Sequence, residues 1–259
     1  MVTSLIANSP AWMLTFARLA GMLGMNPLFA RRNVPSAARA ALVFLMTAIL
    51  APGLTVTLDA QSSAQLLWAM LKELFVGYVC GYVFQVFYYM LFFAGDLMDT
   101  HFGMSMAKVF DPGTSIQMSV SGSLLNILFI LYIFITDSHL MLVRLFVDTF
   151  RILPLGTMTF SQDSARFMLD LFTAGFQLAL QLVLPFMAAE FVLELAMGIL
   201  MKLIPQIHIF VINIQFKMIL GLLLLLAFAS PTASFLDNYM RLMLENLQRA
   251  VLALQQTPA

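Results

Sequence analysis

Six stretches of this 259-residue chain, at 12–30, 37–58, 66–95, 123–147, 167–198 and 207–229, are long and apolar enough to cross a bilayer. A spanning helix needs about 20 mostly apolar residues, because lipid offers backbone N–H and C=O groups no partner and only a helix satisfies them within one segment. The chain is therefore read as an all-α, membrane-associated bundle of long kinked helical hairpins. Composition agrees: 61% of residues are hydrophobic and 10% charged, against about half and a quarter in a soluble domain. Thirteen basic residues balance thirteen acidic ones, which excludes the global basic field of a nucleic-acid binder. A single cysteine, Cys80, excludes an intrachain disulfide, and with three histidines it leaves a Cys/His zinc site without ligands. Residues 1–12 contain no Lys or Arg, so the charged n-region of a secretory signal is missing.

The stretches are interrupted. Pro27 ends the first, Pro52 and Gly53 break the second, and Pro185 sits inside the fifth; each proline removes a donor and predicts a kink. Stretches 66–95 and 167–198 reach about 45 Å as helices, so they must tilt, bend or leave the hydrocarbon. Arg31, Arg32 and Arg39 form the one basic loop cluster, which the positive-inside rule places in the cytoplasm with the N-terminus outside.

Charges inside apolar stretches carry most of the information, since each costs roughly 2.5–3.5 kcal/mol at the bilayer centre on the insertion scale. They are Arg18, Lys72, Glu73, Glu190, Glu194 and Lys217. Arg18 and His208 are read as a snorkelling or paired cation and a hydrogen-bonded core imidazole. Lys72 and Glu73 are sequential and do not face each other on a helix, so a helix end or a subunit contact is expected for them. Glu190 and Glu194 are one turn apart on one face and need a cation, a proton or water nearby. A hairpin turning at 204–206, around Pro205 and Gln206, puts Glu194 and Lys217 each about 17 Å from the turn, which predicts their contact. Glu190, a turn further on, is expected to find a partner elsewhere. A proton-relay carboxylate pair is the functional alternative, and with it a proton-coupled secondary transporter of a small solute; no internal repeat supports that rival.

Two further segments stand apart. Residues 101–122 are rich in Gly, Ser and Met. Phe110, Asp111, Pro112 and Gly113 make a turn signature, while Met104, Met106 and Met118 give a deformable apolar surface. The segment reads either as an ordinary solvent loop or as a closure that yields to something passing through. Residues 235–254 place Phe235, Tyr239, Leu242, Leu247, Val251 and Leu254 on one helical face, with Arg241, Glu245 and Arg249 spaced i, i+4. This amphipathic helix is expected either to lie on the membrane surface or to dock a partner. No phosphate loop, HExxH or nucleophile elbow is present, and Asp96 with Asp99 is a weak metal signal, so no catalytic residue, metal or cofactor is expected.

Several ordered motifs together resemble the FliR family, called SctT in virulence systems. Lys202, Pro205, Gln206, Lys217 and Gly221 match its basic residue, Pro-Gln, Lys and Gly pattern, although Lys202 stands where Arg is commoner and Gln215–Phe216 where Phe-Pro is expected. Lys72, Glu73, Gly77 and Gly81 are similar to its Lys-Glu and Gly-x-x-x-Gly segment, 94–112 to its acidic Gly-rich segment ending in Asp-Pro, and Arg18, Pro27 and Pro35 to its Arg-then-proline pattern. The resemblance covers nearly all of residues 1–259 as a single export-gate domain. It implies a structural and gating subunit of the type III export gate in the bacterial inner membrane, at the flagellar basal body. FliP-like and FliQ-like subunits would complete the pore for unfolded substrates, with FlhB-like and FlhA-like proteins beside them. It also implies a plug over 103–121, so that Phe102, Gly103, Met104, Met106, Phe110, Asp111, Pro112, Gly113 and Met118 would form or flank it. Lys72, Glu73, Glu190, Glu194, Lys202 and Lys217 would serve as buried ion pairs or subunit contacts, with helix breaks at Pro185, Pro205 and Gln206.

Overall fold

The computed structural model describes residues 9–29, 34–56, 62–105, 119–158, 162–204 and 209–254. Among them the chain is helical apart from turns and one isolated parallel bridge between Val56 and Leu155. The helices are α1 (Ser9–Gly24), α2 (Ser36–Leu50), α3 (Ser63–His101), α4 (Val120–Ile135), α5 (Ser138–Ile152), α6 (Gln162–Leu203), α7 (Ile209–Ala227) and α8 (Ala229–Ala253).

Local chemistry sets their ends. Pro10 stands in the first turn of α1, where its missing N–H would have had no intrahelical partner. After Gly24 the chain turns, with Asn26 Oδ1 accepting the Leu28 N–H at 2.9 Å before Pro27 can disturb a helix. Pro52 stops α2 at Leu50 and leaves a single 3₁₀ turn, Ala51–Gly53. By contrast α3 meets no proline in 39 residues, and α6 runs 42 residues through Pro185 without ending. At 1.5 Å per residue these exceed the hydrocarbon thickness about twofold.

Three helical stretches, Ser36–Gly53, Ser63–His101 and Ser164–Leu203, are long and apolar enough to cross a membrane, or five if each bent pair is counted as one span. The expectation that six stretches are long and apolar enough to span is corrected at three: the helix of the first, α1, has 16 residues and is not a candidate span, and two others are bent. The fourth stretch is not one helix: α4 and α5 meet at 76°, because Asp137 adopts a left-handed conformation at φ 54° between Thr136 and Ser138. The sixth stretch and the C-terminal helix are likewise bent by 62° at Phe228. The C-terminal helix also starts earlier than its amphipathic stripe, at Ala229, with Pro231 in the first turn, where proline is tolerated. Arg39 lies in the first turns of α2 and not in a loop; Arg31 and Arg32 fall outside the described residues.

Two compact units interleave along the chain. One takes the sequence up to Phe87, Ile133–Thr173 and the sequence from Arg241; the other takes Tyr88–Tyr132 and Ala174–Met240. Within the first, α1 lies directly on α3: a Cβ on Gly77 would collide with the Arg18 carbonyl oxygen and stand 2.9 Å from Met22 N. Only glycine permits this approach, a small-residue contact of the kind that joins helices in lipid. Of the apolar stripe read at 235–254, Tyr239, Leu247, Val251 and Leu254 are buried within this chain, and Phe235 and Leu242 are half-buried.

Candidate functional site

Three clusters of buried polar groups hold the residues singled out by the sequence. The first, in the first unit, centres on Arg18 of α1 and Glu73 of α3, both fully buried. Arg18 Nε donates to Glu73 Oε2 at 2.5 Å. Its Nη1 donates to the carbonyls of Thr149 at 3.1 Å and Leu153 at 2.8 Å, where α5 ends. A guanidinium suits this place, because its fixed fork reaches a carboxylate and two carbonyls at the helix end together. Its Cζ also lies 4.6 Å from the Phe150 ring centroid, in cation–π range. Glu73 Oε1 in turn accepts the Gly156 N–H at 2.8 Å. Glu73 thus sits inside α3 and not at the helix end expected for it, in a buried ion pair within this chain. Lys72 is half-buried beside it.

The second cluster, in the second unit, joins α3, α6 and α7. Lys217 Nζ lies 2.5 Å from Glu190 Oε1 and 3.3 Å from Glu194 Oε1. His101 Nδ1 lies 3.3 Å from Glu190 Oε2. Glu190 therefore takes a partner from α3, His101, but also shares Lys217 with Glu194, a contact that was not expected. Burial differs sharply across the group: the Glu190 side chain is 3% exposed and Lys217 16%, but Glu194 is 59% exposed. Glu194 stands among Phe191, Val192 and Leu195, which are themselves exposed. Lys202 is exposed in the last turn of α6, where a cation complements the helix dipole. Pro205, Gln206 and His208 lie outside the described residues.

The third cluster pins both ends of the Gly/Ser/Met-rich segment. Asp99, 1% exposed, accepts the Ser119 hydroxyl at 2.7 Å, the Val120 N–H at 2.6 Å and the Ser121 N–H at 3.1 Å. Ser119 Oγ accepts the Gly122 N–H at 2.8 Å. A carboxylate from α3 thus caps the N-terminus of α4, satisfying its orphan donors. At the other end Phe102 stands in the turn just after α3. It is fully buried, its ring centroid is 6.0 Å from that of Phe186, and it fills the space a side chain at Gly221 would need. Gly103, at φ 74°, then turns the chain out of the helix. Met104 is half-buried; Met106, Phe110, Asp111, Pro112, Gly113 and Met118 lie outside the described residues.

The charges are evident in the sequence, but three of their connections are not. Arg18 and Glu73 are 55 residues apart; opposite signs in two apolar stretches were the only cue. The His101 contact with Glu190 and the capping role of Asp99 had no sequence signal beyond proximity to the turn segment. Among the described residues no group of three or more His, Cys, Asp and Glu side chains is arranged to hold a metal ion.

Comparison with known proteins places these features in context. The family model described as bacterial export proteins, family 1, matches residues 9–243. The chain is 27% identical over 221 residues to flagellar biosynthetic protein FliR of Escherichia coli (strain K12), covering 85% of each chain. It is 26% identical over 256 residues to the Bacillus subtilis (strain 168) protein of that name, covering 98% of each. To that of Pectobacterium carotovorum subsp. carotovorum it is 29% identical over 227 residues, covering 85% of this chain and 86% of the other.

Proposed function

Because this chain belongs to family 1 of the bacterial export proteins, we propose that it is a structural and gating subunit of the flagellar type III export gate. In this reading it sits at the basal body in the inner membrane. FliP-like and FliQ-like subunits complete a pore with it for unfolded flagellar subunits, next to FlhB-like and FlhA-like proteins. The family match carries the export role. The observation that supports the subunit role is Glu194: a carboxylate exposed among Phe191, Val192 and Leu195 on a helix apolar enough to span is costly against lipid. Lys217 reaches it from one side, and covering protein would keep its exposed side out of lipid.

The gating part rests on the segment that starts at Gly103 and returns at Ser119. Its two ends are fixed by Phe102 and Asp99, which suits a plug that must yield in the middle while its roots stay in place. The mechanism is a shift in population: partner or substrate engagement favours the state in which the segment leaves the passage. The test is deletion of 104–117. Assembly should persist while the inner membrane becomes leaky to ions and small solutes. Intact assembly with no added leak removes the plug reading.

A further inference from the structure

The second charge cluster does not balance unless a fourth group is counted. Lys217 brings one positive charge and Glu190 with Glu194 two negative ones. With a neutral His101 the four side chains sum to one negative charge; with a protonated His101 they sum to zero. The geometry allows the balance, with His101 Nδ1 3.3 Å from Glu190 Oε2. Two further carboxylates, Asp99 and Asp96, lie on the same end of α3. Asp99 is engaged by Ser119, Val120 and Ser121, and Asp96 lies about 140° around the helix.

The position of His101 gives this balance a consequence. It is the last residue of α3. The N–H of Phe102 still reaches the Met98 carbonyl at 2.9 Å, and Gly103 then leaves the helix at φ 74°. Whatever ties His101 to α6 therefore ties the exit of α3. An imidazolium–carboxylate contact is roughly twice as strong as a neutral hydrogen bond of the same geometry. We propose that His101, Glu190 and Lys217 form a proton-dependent latch: protonated His101 fixes the last turn of α3 and the residues through Ser105 to α6, and loss of that proton loosens them. Nothing in this depends on whether the following segment is a plug.

The test uses the assembled complex carrying a nitroxide at Ser105 (S105C, in a C80A background). Spectra are recorded at about pH 5.5 and about pH 8, on either side of the ordinary imidazole range. In the parent the label should be immobilised at the lower pH and severalfold more mobile at the higher one. H101K should hold it immobilised at both, and H101A mobile at both. If H101A does not assemble, H101Q carries the same expectation. Equal mobility at both pH values in the parent, or a pH response that survives removal of the imidazole, overturns the latch.

Discussion

Each unit of the molecule is built around a buried carboxylate–cation pair, and the two pairs are finished differently. Around Arg18 and Glu73 every strong contact comes from this chain: the partner side chain, two carbonyls at the end of α5, and the Gly156 N–H. Both side chains are 0% exposed. Around Glu190 and Lys217 the geometry is open on one side. Glu190 is enclosed, but its neighbour Glu194 is more than half exposed on an apolar helix face. The first cluster acts within the fold, tying α1, α3 and the end of α5 together. The second leaves a polar group on the surface, as a chain does when a neighbour completes the site. Like chemistry in two burial states separates what the chain needs in order to fold from what it presents outward.

Breaking the closed cluster should have the largest effect. Arg18→Ala leaves Glu73 buried with no cation, a loss of about 3–5 kcal/mol, so the protein should fail to accumulate in the membrane. Arg18→Lys should restore little, because an ammonium cannot reproduce the forked contact to carboxylate and carbonyls; immunoblotting of membrane fractions reads both. In the open cluster, Lys217→Ala strands Glu190 with only the half-buried His101 and should cost less, about 1–3 kcal/mol, read as a lowered melting temperature of the purified assembly. Glu194→Ala should be the mildest, about 0.2–1 kcal/mol within this chain, as expected for an exposed pair. Combined with Lys217→Ala it should fall short of the sum of the singles, since the two side chains touch. Strict additivity, or an Arg18→Ala protein as abundant as the parent, would erase the distinction between the clusters.

Much of this architecture was legible because apolar length and proline placement act locally. Pro27 and Pro52 mark helix ends wherever the chain later packs. The depth argument that paired Glu194 with Lys217 needed only helical rise. It missed the contact of Glu190 with Lys217 because it treated the lysine as a point: the side chain spans about one helical turn, 5.4 Å, and so holds both carboxylates. The break at Asp137 was hidden inside an apolar run, although Thr-Asp-Ser is turn-forming chemistry. The Arg18–Glu73 pair and the capping of α4 by Asp99 arise from tertiary packing across 55 and 20 residues, and no periodicity encodes which distant helix arrives. The plug-like segment was legible only as composition.

The central claim is that other protein covers the open face. Purification of the tagged chain in gentle detergent, followed by native mass spectrometry, measures this directly. The expected result is one assembly containing FliP-like and FliQ-like subunits, from which Glu194→Arg releases this chain. A monodisperse single chain, active alone in proton-coupled uptake of a small solute, would contradict it.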